Sequence, residues 1–197
     1  KRVIVSTYQA VSGAGKEGID ELDAQVRDHS EGREMTANIL PSASAEKHYP
    51  IAFNLIPQID VFCDNLYTKE EMKMVNETKK IMEDYEMRIT ATTIRVPVYR
   101  SHSESVNIEL EKEVDLGAMR EALAKFPGVT VQDDPSKQEY PMPLYTSEKD
   151  DVYVGRLRRD ESCEKSYNIW VVGDQIRKGA ALNTLQIAET MIKNGWI

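Results

Sequence analysis

The sequence predicts an α+β domain, with one mixed, largely antiparallel sheet and helices packed on a face. Three observations carry that expectation. Short runs alternate apolar and polar residues with period two, the mark of strands that bury one face. Between them lie segments with apolar residues three and four apart, several opening on capping residues, the mark of amphipathic helices. The chain has 197 residues and no internal repeat, enough for one substantial core and one domain.

The elements follow in order. Arg2-Val-Ile-Val-Ser-Thr-Tyr8 is a strand, so the chain opens inside a structural element on Lys1 and reads as part of a longer protein. Ser12-Gly13-Ala14-Gly15 is a small-residue turn into a helix over Lys16–Arg27, where Ile19, Leu22 and Val26 keep helical spacing. Residues 28–60 are polar and punctuated by Gly32, Pro41, Pro50 and Pro57, a long irregular connection of the kind that is functional or interfacial. Thr68-Lys-Glu-Glu71 is a capping box, starting a helix through Met72, Val75, Ile81 and Met82 to about Tyr85. Strands are expected at Arg88–Val98 and Ser105–Glu113. A helix over Leu116–Phe126 follows, N-capped by Asp115 and closed by Pro127-Gly128. After a Pro- and charge-rich loop over 132–150, Val152–Arg158 and Tyr167–Val172 read as a hairpin, and Asp174 caps a last helix to about Lys193. The sheet face without helices is free to pair with a partner.

Composition excludes several functions. A formal charge of -8, with no Lys/Arg cluster, speaks against nucleic acid. With neither a long apolar stretch nor a leader-like start in sight, the expectation is no membrane partner and a cytoplasmic location. Cys63 and Cys163 lack any metal-binding or redox spacing and read as free thiols; no metal is expected. His29 and His48 stand alone among polar residues and read as surface side chains.

Three clusters could carry chemistry. Arg95 and His102 flank the end of the apolar run Ile94–Val98, and Pro97, unable to donate to a ladder, is expected to release Arg100–His102 into a loop. They offer either a guanidinium fork for a carboxylate and an imidazole for proton transfer, or an ion-paired arginine and a surface histidine. Gln9, Ser12 and Gly13 end the first strand, where small residues permit close approach to a phosphate or an amide, or simply make a tight turn. Glu70 and Lys73 share a helix face, either presenting an acceptor and a donor to one ligand or forming an ordinary surface pair.

Five blocks, in order, carry a resemblance: Val3-Ile-Val-Ser-Thr-Tyr-Gln-Ala-Val-Ser-Gly-Ala-Gly15, the segment from His48 to Asp60, Glu70-Glu-Met-Lys-Met74, Arg95-Val-Pro-Val-Tyr-Arg-Ser-His-Ser-Glu-Ser-Val-Asn107, and Lys178 to Glu189. Together they closely resemble aspartate-β-semialdehyde dehydrogenase of the Gram-positive bacterial type. The resemblance implies the C-terminal domain of a glyceraldehyde-3-phosphate-dehydrogenase-like fold. It implies an oxidoreductase that converts β-aspartyl phosphate to aspartate semialdehyde and phosphate with NADPH, through a cysteine thioester, in lysine, threonine and methionine biosynthesis. By position, His102 is the general acid/base and Gln9 orients the acyl group. Arg95 holds the substrate α-carboxylate, Glu70 meets its amino group, and Lys73 contacts the phosphate side. Ser12, Gly13 and Asn183 lie beside NADP, and the partner is a second copy of the chain in a homodimer or homotetramer.

The departures from that family bound the expectation. The nucleophilic Pro-Asn-Cys-Ser-like turn and the Gly-rich nucleotide-binding half are not in these residues, and neither Cys63 nor Cys163 stands in for the nucleophile. Residues 1–172 are therefore expected to form the catalytic and dimerisation domain. Residues 173–197 are expected to form a helix returning to a nucleotide-binding domain, and the chain alone to be inactive and without NADP. Two alternatives stay open: reduction of N-acetyl-γ-glutamyl phosphate, which a free carboxylate at Glu70 disfavours, and a silent dimerisation module, which the joint presence of Gln9, Arg95 and His102 disfavours.

Overall fold

The structure is a computed structural model and describes all residues, Lys1–Ile197. Six strands form one sheet in the order β2-β1-β3-β6-β5-β4, with β1 Arg2–Gln9, β2 Arg88–Arg95, β3 His102–Glu109, β4 Val129–Val131, β5 Val152–Arg159 and β6 Ser166–Gly173. The sheet is mixed: β1 runs parallel to β2 and β4 parallel to β5, while β1–β3, β3–β6 and β6–β5 are antiparallel. The helices are α1 Gly15–Ser30, α2 Lys69–Ile81, α3 Leu116–Lys125, the single turn α4 Pro143–Thr146, and α5 Leu182–Lys193, which a short π-helical stretch over Arg177–Ala181 precedes.

Capping explains where α2 and α3 begin. Thr68 Oγ1 accepts the Glu71 N–H at 3.2 Å and Glu71 Oε2 accepts the Thr68 N–H at 2.8 Å, the expected reciprocal box. The other Glu71 oxygen accepts the Thr93 N–H, so the cap also docks α2 on β2. Asp115 accepts the Ala118 N–H at the start of α3. Helix α2 stops at Ile81 rather than Tyr85, and Ile81 and Met82 are exposed. Among the residues ahead of it, Val61-Phe62-Cys63 makes only one bridge, Phe62 to Thr68.

Ladder register assigns the faces. Val5, Thr7 and Gln9 stand level with Ala91, Thr93 and Arg95 on the face that α2 covers, and Val154 and Leu157 lie under α3 on that same face. On the opposite face Tyr8 packs on Trp170 with ring centroids 5.6 Å apart, and Ile4, Thr92 and Ser105 stay exposed. The core away from the sheet gathers Val11, Leu22, Leu40, Ile51, Ala52 and Ile56, where α1 meets the long connection. That connection is anchored by buried Gln25, whose Oε1 accepts the Ile51 and Ala52 N–H groups while its Nε2 donates to Thr36 O. No helix is long and apolar enough to cross a membrane.

Two boundaries correct the expectation near the proposed cluster. Strand β2 ends at Arg95, not Val98, because Ile56 of the long connection takes both ladder bonds of Arg95 on its outer edge and Pro97 cannot donate. His102 lies not in a loop but at the first position of β3, opposite Gly173 of β6.

Candidate functional site

One rim of the sheet collects the polar residues. The parallel strands β1 and β2 end level with one another, Gln9 opposite Arg95, and antiparallel β3 begins beside them at His102. The turn after β1 folds back over this rim: the Val11 and Ser12 N–H groups donate to the Val98 and Tyr99 carbonyls, and the Val96 N–H donates to Gln9 O. Ala10 is the hub. Its carbonyl accepts from Arg95 Nη1 at 2.7 Å, and its N–H donates to His102 Nδ1 at 3.0 Å. With Nδ1 accepting, the neutral imidazole carries its proton on Nε2.

Gly13 sits over the gap between these two side chains. A Cβ there would lie 2.6 Å from Arg95 Nη1 and 3.5 Å from His102 Nε2, so any other residue would have to displace the guanidinium. Gln9 is held at both ends, its Oε1 accepting from Thr7 Oγ1 at 3.1 Å and its Nε2 donating to Glu70 Oε1 at 3.3 Å. Glu70 in turn faces Lys73 at 3.6 Å, which is half exposed at the rim. Gln9, Ser12, Gly13, Glu70, Arg95 and His102 thus converge, with Lys73 at their edge. Asn183 does not join them: it is half-buried on α5 with no side-chain hydrogen bond to the cluster.

Sequence reasoning missed Gln175. Its Nε2 donates to Ser12 Oγ at 2.6 Å, while its Oε1 is buried with no partner. The signal was present in Asp174-Gln175, two polar residues directly after the apolar end of β6, but Asp174 read only as a helix cap. Its side chain accepts the Ile176 N–H, but the π-helical stretch begins only at Arg177 and α5 at Leu182, and neither start has a side-chain cap.

Burial sets the electrostatics. It lowers the His102 pKa to about 3, with the Arg95 cation pushing the same way and Asp174 opposing. Burial also lowers Arg95 to about 10, with Glu70 opposing. Glu104, two residues along β3 on the same face, is raised by burial. Arg95 Nε is buried without a partner, while Nη1 is bound to Ala10 O. No group of His, Cys, Asp and Glu side chains is arranged to hold a metal ion. Cys63 lies in the loop before α2 and Cys163 in the β5–β6 turn, neither in the cluster. Ser12, Gly13 and the orphaned Gln175 Oε1 fit a cofactor amide, which would satisfy that oxygen and pass close to the backbone.

Comparison with known proteins places the chain. The family described as "Semialdehyde dehydrogenase, dimerisation domain" matches residues 1–178. Aspartate-semialdehyde dehydrogenase of Aquifex aeolicus is 50% identical over 197 residues, covering 100% of this chain and 56% of that protein. The Bacillus subtilis enzyme of the same name is 50% identical over 98% of this chain and 56% of its own length. The Campylobacter jejuni one is 49% identical over 98% and 54%. Relatives this diverse do not single out a Gram-positive type. Among solved structures, aspartate semialdehyde dehydrogenase II from Vibrio cholerae superimposes with a TM-score of 0.89 at 42% identity, over 98% of this chain and 55% of that one. The chain thus spans about half the length of the curated relatives it matches. By sequence over residues 1–178 and by fold over nearly its whole length, the chain belongs to the semialdehyde dehydrogenase dimerisation-domain family.

Proposed function

We propose that these residues are the catalytic and dimerisation part of an aspartate-semialdehyde dehydrogenase, converting β-aspartyl phosphate to aspartate semialdehyde and phosphate. The convergence of Gln9, Arg95 and His102 around Gly13 carries this reading. A Vibrio cholerae relative has been solved in complex with ASA, which supports a site for the semialdehyde. We assign residues 1–172 to that domain and 173–197 to a helix returning to a nucleotide-binding domain. Two copies pair, as a homodimer or within a homotetramer, through the sheet face that carries Tyr8 and Trp170. A place in cytoplasmic amino-acid biosynthesis completes the proposal.

The residues divide the work by chemistry. Arg95 presents its free Nε edge to the substrate α-carboxylate, a fork that an ammonium cannot imitate. Glu70 accepts from the substrate ammonium, a contact an acylated amine could not make, which disfavours N-acetyl-γ-glutamyl phosphate. Lys73, at the rim, offers a cation to the leaving phosphate. Gln9, gripped by Thr7 and Glu70, fixes the acyl group. His102 holds a proton on Nε2 and passes it to the oxygen or sulfur that becomes negative. Burial is the main force depressing His102, and docking a carboxylate on Arg95 would offset the cation that adds to it.

NADPH, when bound, supplies the hydride. Ser12, Gly13 and Gln175 would hold it, and Asn183 is a second candidate from α5. The thiolate that would carry the acyl group as a thioester is not Cys63 or Cys163, so residues 1–197 alone should show no turnover.

His102→Asn in the full-length enzyme tests the reading. Turnover should fall by roughly 10²–10⁴ with KM little changed, the usual loss when a general acid/base is removed. Normal turnover in that variant would exclude the role.

A further inference from the structure

We infer that buried Asp174 and its partly exposed partner Arg100 form a positioning pair, which holds Gln175 against Ser12 and sets the electrostatic environment of the His102 ring. Neither touches the reacting atoms in the proposed mechanism. Asp174 follows Gly173, the residue that stands opposite His102 in the β3–β6 ladder. Its side chain is fully buried. One oxygen accepts the Ile176 N–H at 3.0 Å, and the other accepts the Glu148 N–H at 2.7 Å and meets Arg100 Nη2 at 2.8 Å. Three segments are thereby tied at one carboxylate: the loop between β2 and β3, the loop before β5, and the exit from β6.

A plain helix cap would not need this arrangement. Capping is supplied as well by a neutral Ser or Asn at the surface, and a buried ion pair is weak evidence for stability because desolvation offsets the attraction. The pair has a geometric consequence instead. Fixing residues 174–176 aims the Gln175 side chain back across the rim, where Nε2 reaches Ser12 Oγ at 2.6 Å and leaves Oε1 free.

It also has an electrical one. The cations facing His102 are Arg95 from β2 and Lys73 from α2; Asp174, from the exit of β6, is the carboxylate opposing them. Arg100 and Glu148 lie one contact further, joined at 2.9 Å, Glu70 stands between Lys73 and Gln9, and Glu104 lies along the same strand. Removing Asp174 would leave His102 among cations. Removing Arg100 would leave Asp174 unneutralised.

The two changes therefore act in opposite directions, which a merely structural role would not produce. The test is an NMR titration of the histidine rings in this chain, in Arg100→Gln and in Asp174→Asn. His29 and His48 serve as internal references, since the chain has three histidines. Arg100→Gln, which frees the Asp174 charge to act on the ring, should raise the His102 midpoint, and Asp174→Asn should lower it, with the references unmoved. In the full-length enzyme the acidic limb of kcat/KM should move the same two ways. An unmoved His102 midpoint in Arg100→Gln, or the same direction in both variants, would overturn the inference. If Asp174→Asn does not fold, Arg100→Gln decides alone. The catalytic consequence rests on the function proposed for His102, but the ring titration does not. Shifted midpoints with full turnover in His102→Asn would sink that function and leave this pair standing.

Discussion

Gln25 and Arg95 are both buried polar side chains, and they are used in opposite ways. Under α1, Gln25 donates to Thr36 O and accepts from Ile51 and Ala52, which pins the long connection to the helix. At the sheet rim, Arg95 gives Nη1 to Ala10 O and leaves Nε with nothing, and Gln175 leaves Oε1 with nothing. Glu21, beside Gln25, blurs the line slightly: one oxygen accepts the Asn38 and Ile39 N–H groups and the other has no partner. The difference teaches how to tell architecture from function among buried polar groups. A group that spends its donors and acceptors on backbone builds the fold; one that withholds them at a convergence of charges, as Arg95 Nε and Gln175 Oε1 do, is where a ligand contact is proposed.

The comparison can be broken at either end. On the architectural side, Ile51→Ala should destabilise the chain by roughly 2–5 kcal/mol, since the side chain is fully buried, and chemical denaturation should read that loss. Arg95→Lys should do the reverse. Stability should hold, while binding of aspartate semialdehyde to the full-length enzyme weakens by about 2–4 kcal/mol because the buried contact to the carboxylate is broken. A stability loss in Arg95→Lys with binding intact would erase the distinction drawn above.

A third experiment follows from His102. Its folded-state pKa, about 3, lies below the ordinary 6.5, so between these values the unfolded chain takes up a proton that the folded chain refuses. Stability is untouched above about pH 6.5 and falls as pH drops toward 3, by up to about 1.4 kcal/mol per unit from this group. In His102→Asn the acid-side loss should be correspondingly shallower, and parallel curves for the two proteins would show that the ring is not buried neutral. The smallest effect is expected at the cap of α2: Thr68→Ala should cost about 1 kcal/mol. It should also loosen Glu71, and amide exchange at Thr93 would report that.

Much of this was legible in the sequence. Capping residues and period-two runs are local, so α2, α3 and most strands could be read from neighbouring residues, and the blocks around Gln9, Arg95 and His102 marked residues that the fold brings together. What escaped depends on distant partners. Strand β4 has three residues and exists by pairing with β5, and α4 is one turn begun by Pro143. The end of β2 at Arg95 is imposed by Ile56, 39 positions earlier in the chain. Burial of Glu21 and Gln25 on α1, where Val26 looked like the inward residue, follows from the amides of the long connection. Gln175 was hidden because its partner, Ser12, lies at the other end of the chain.

The parallel pairing of β1 with β2 has a consequence for tolerance to change. Because Gln9 and Arg95 are brought level by ladder register, their spacing does not depend on how many residues lie between them. The exposed turn over 82–86, between α2 and β2, could lengthen or shorten over generations without moving the guanidinium relative to the amide, whereas one residue inserted within either strand would turn its side chains to the far face.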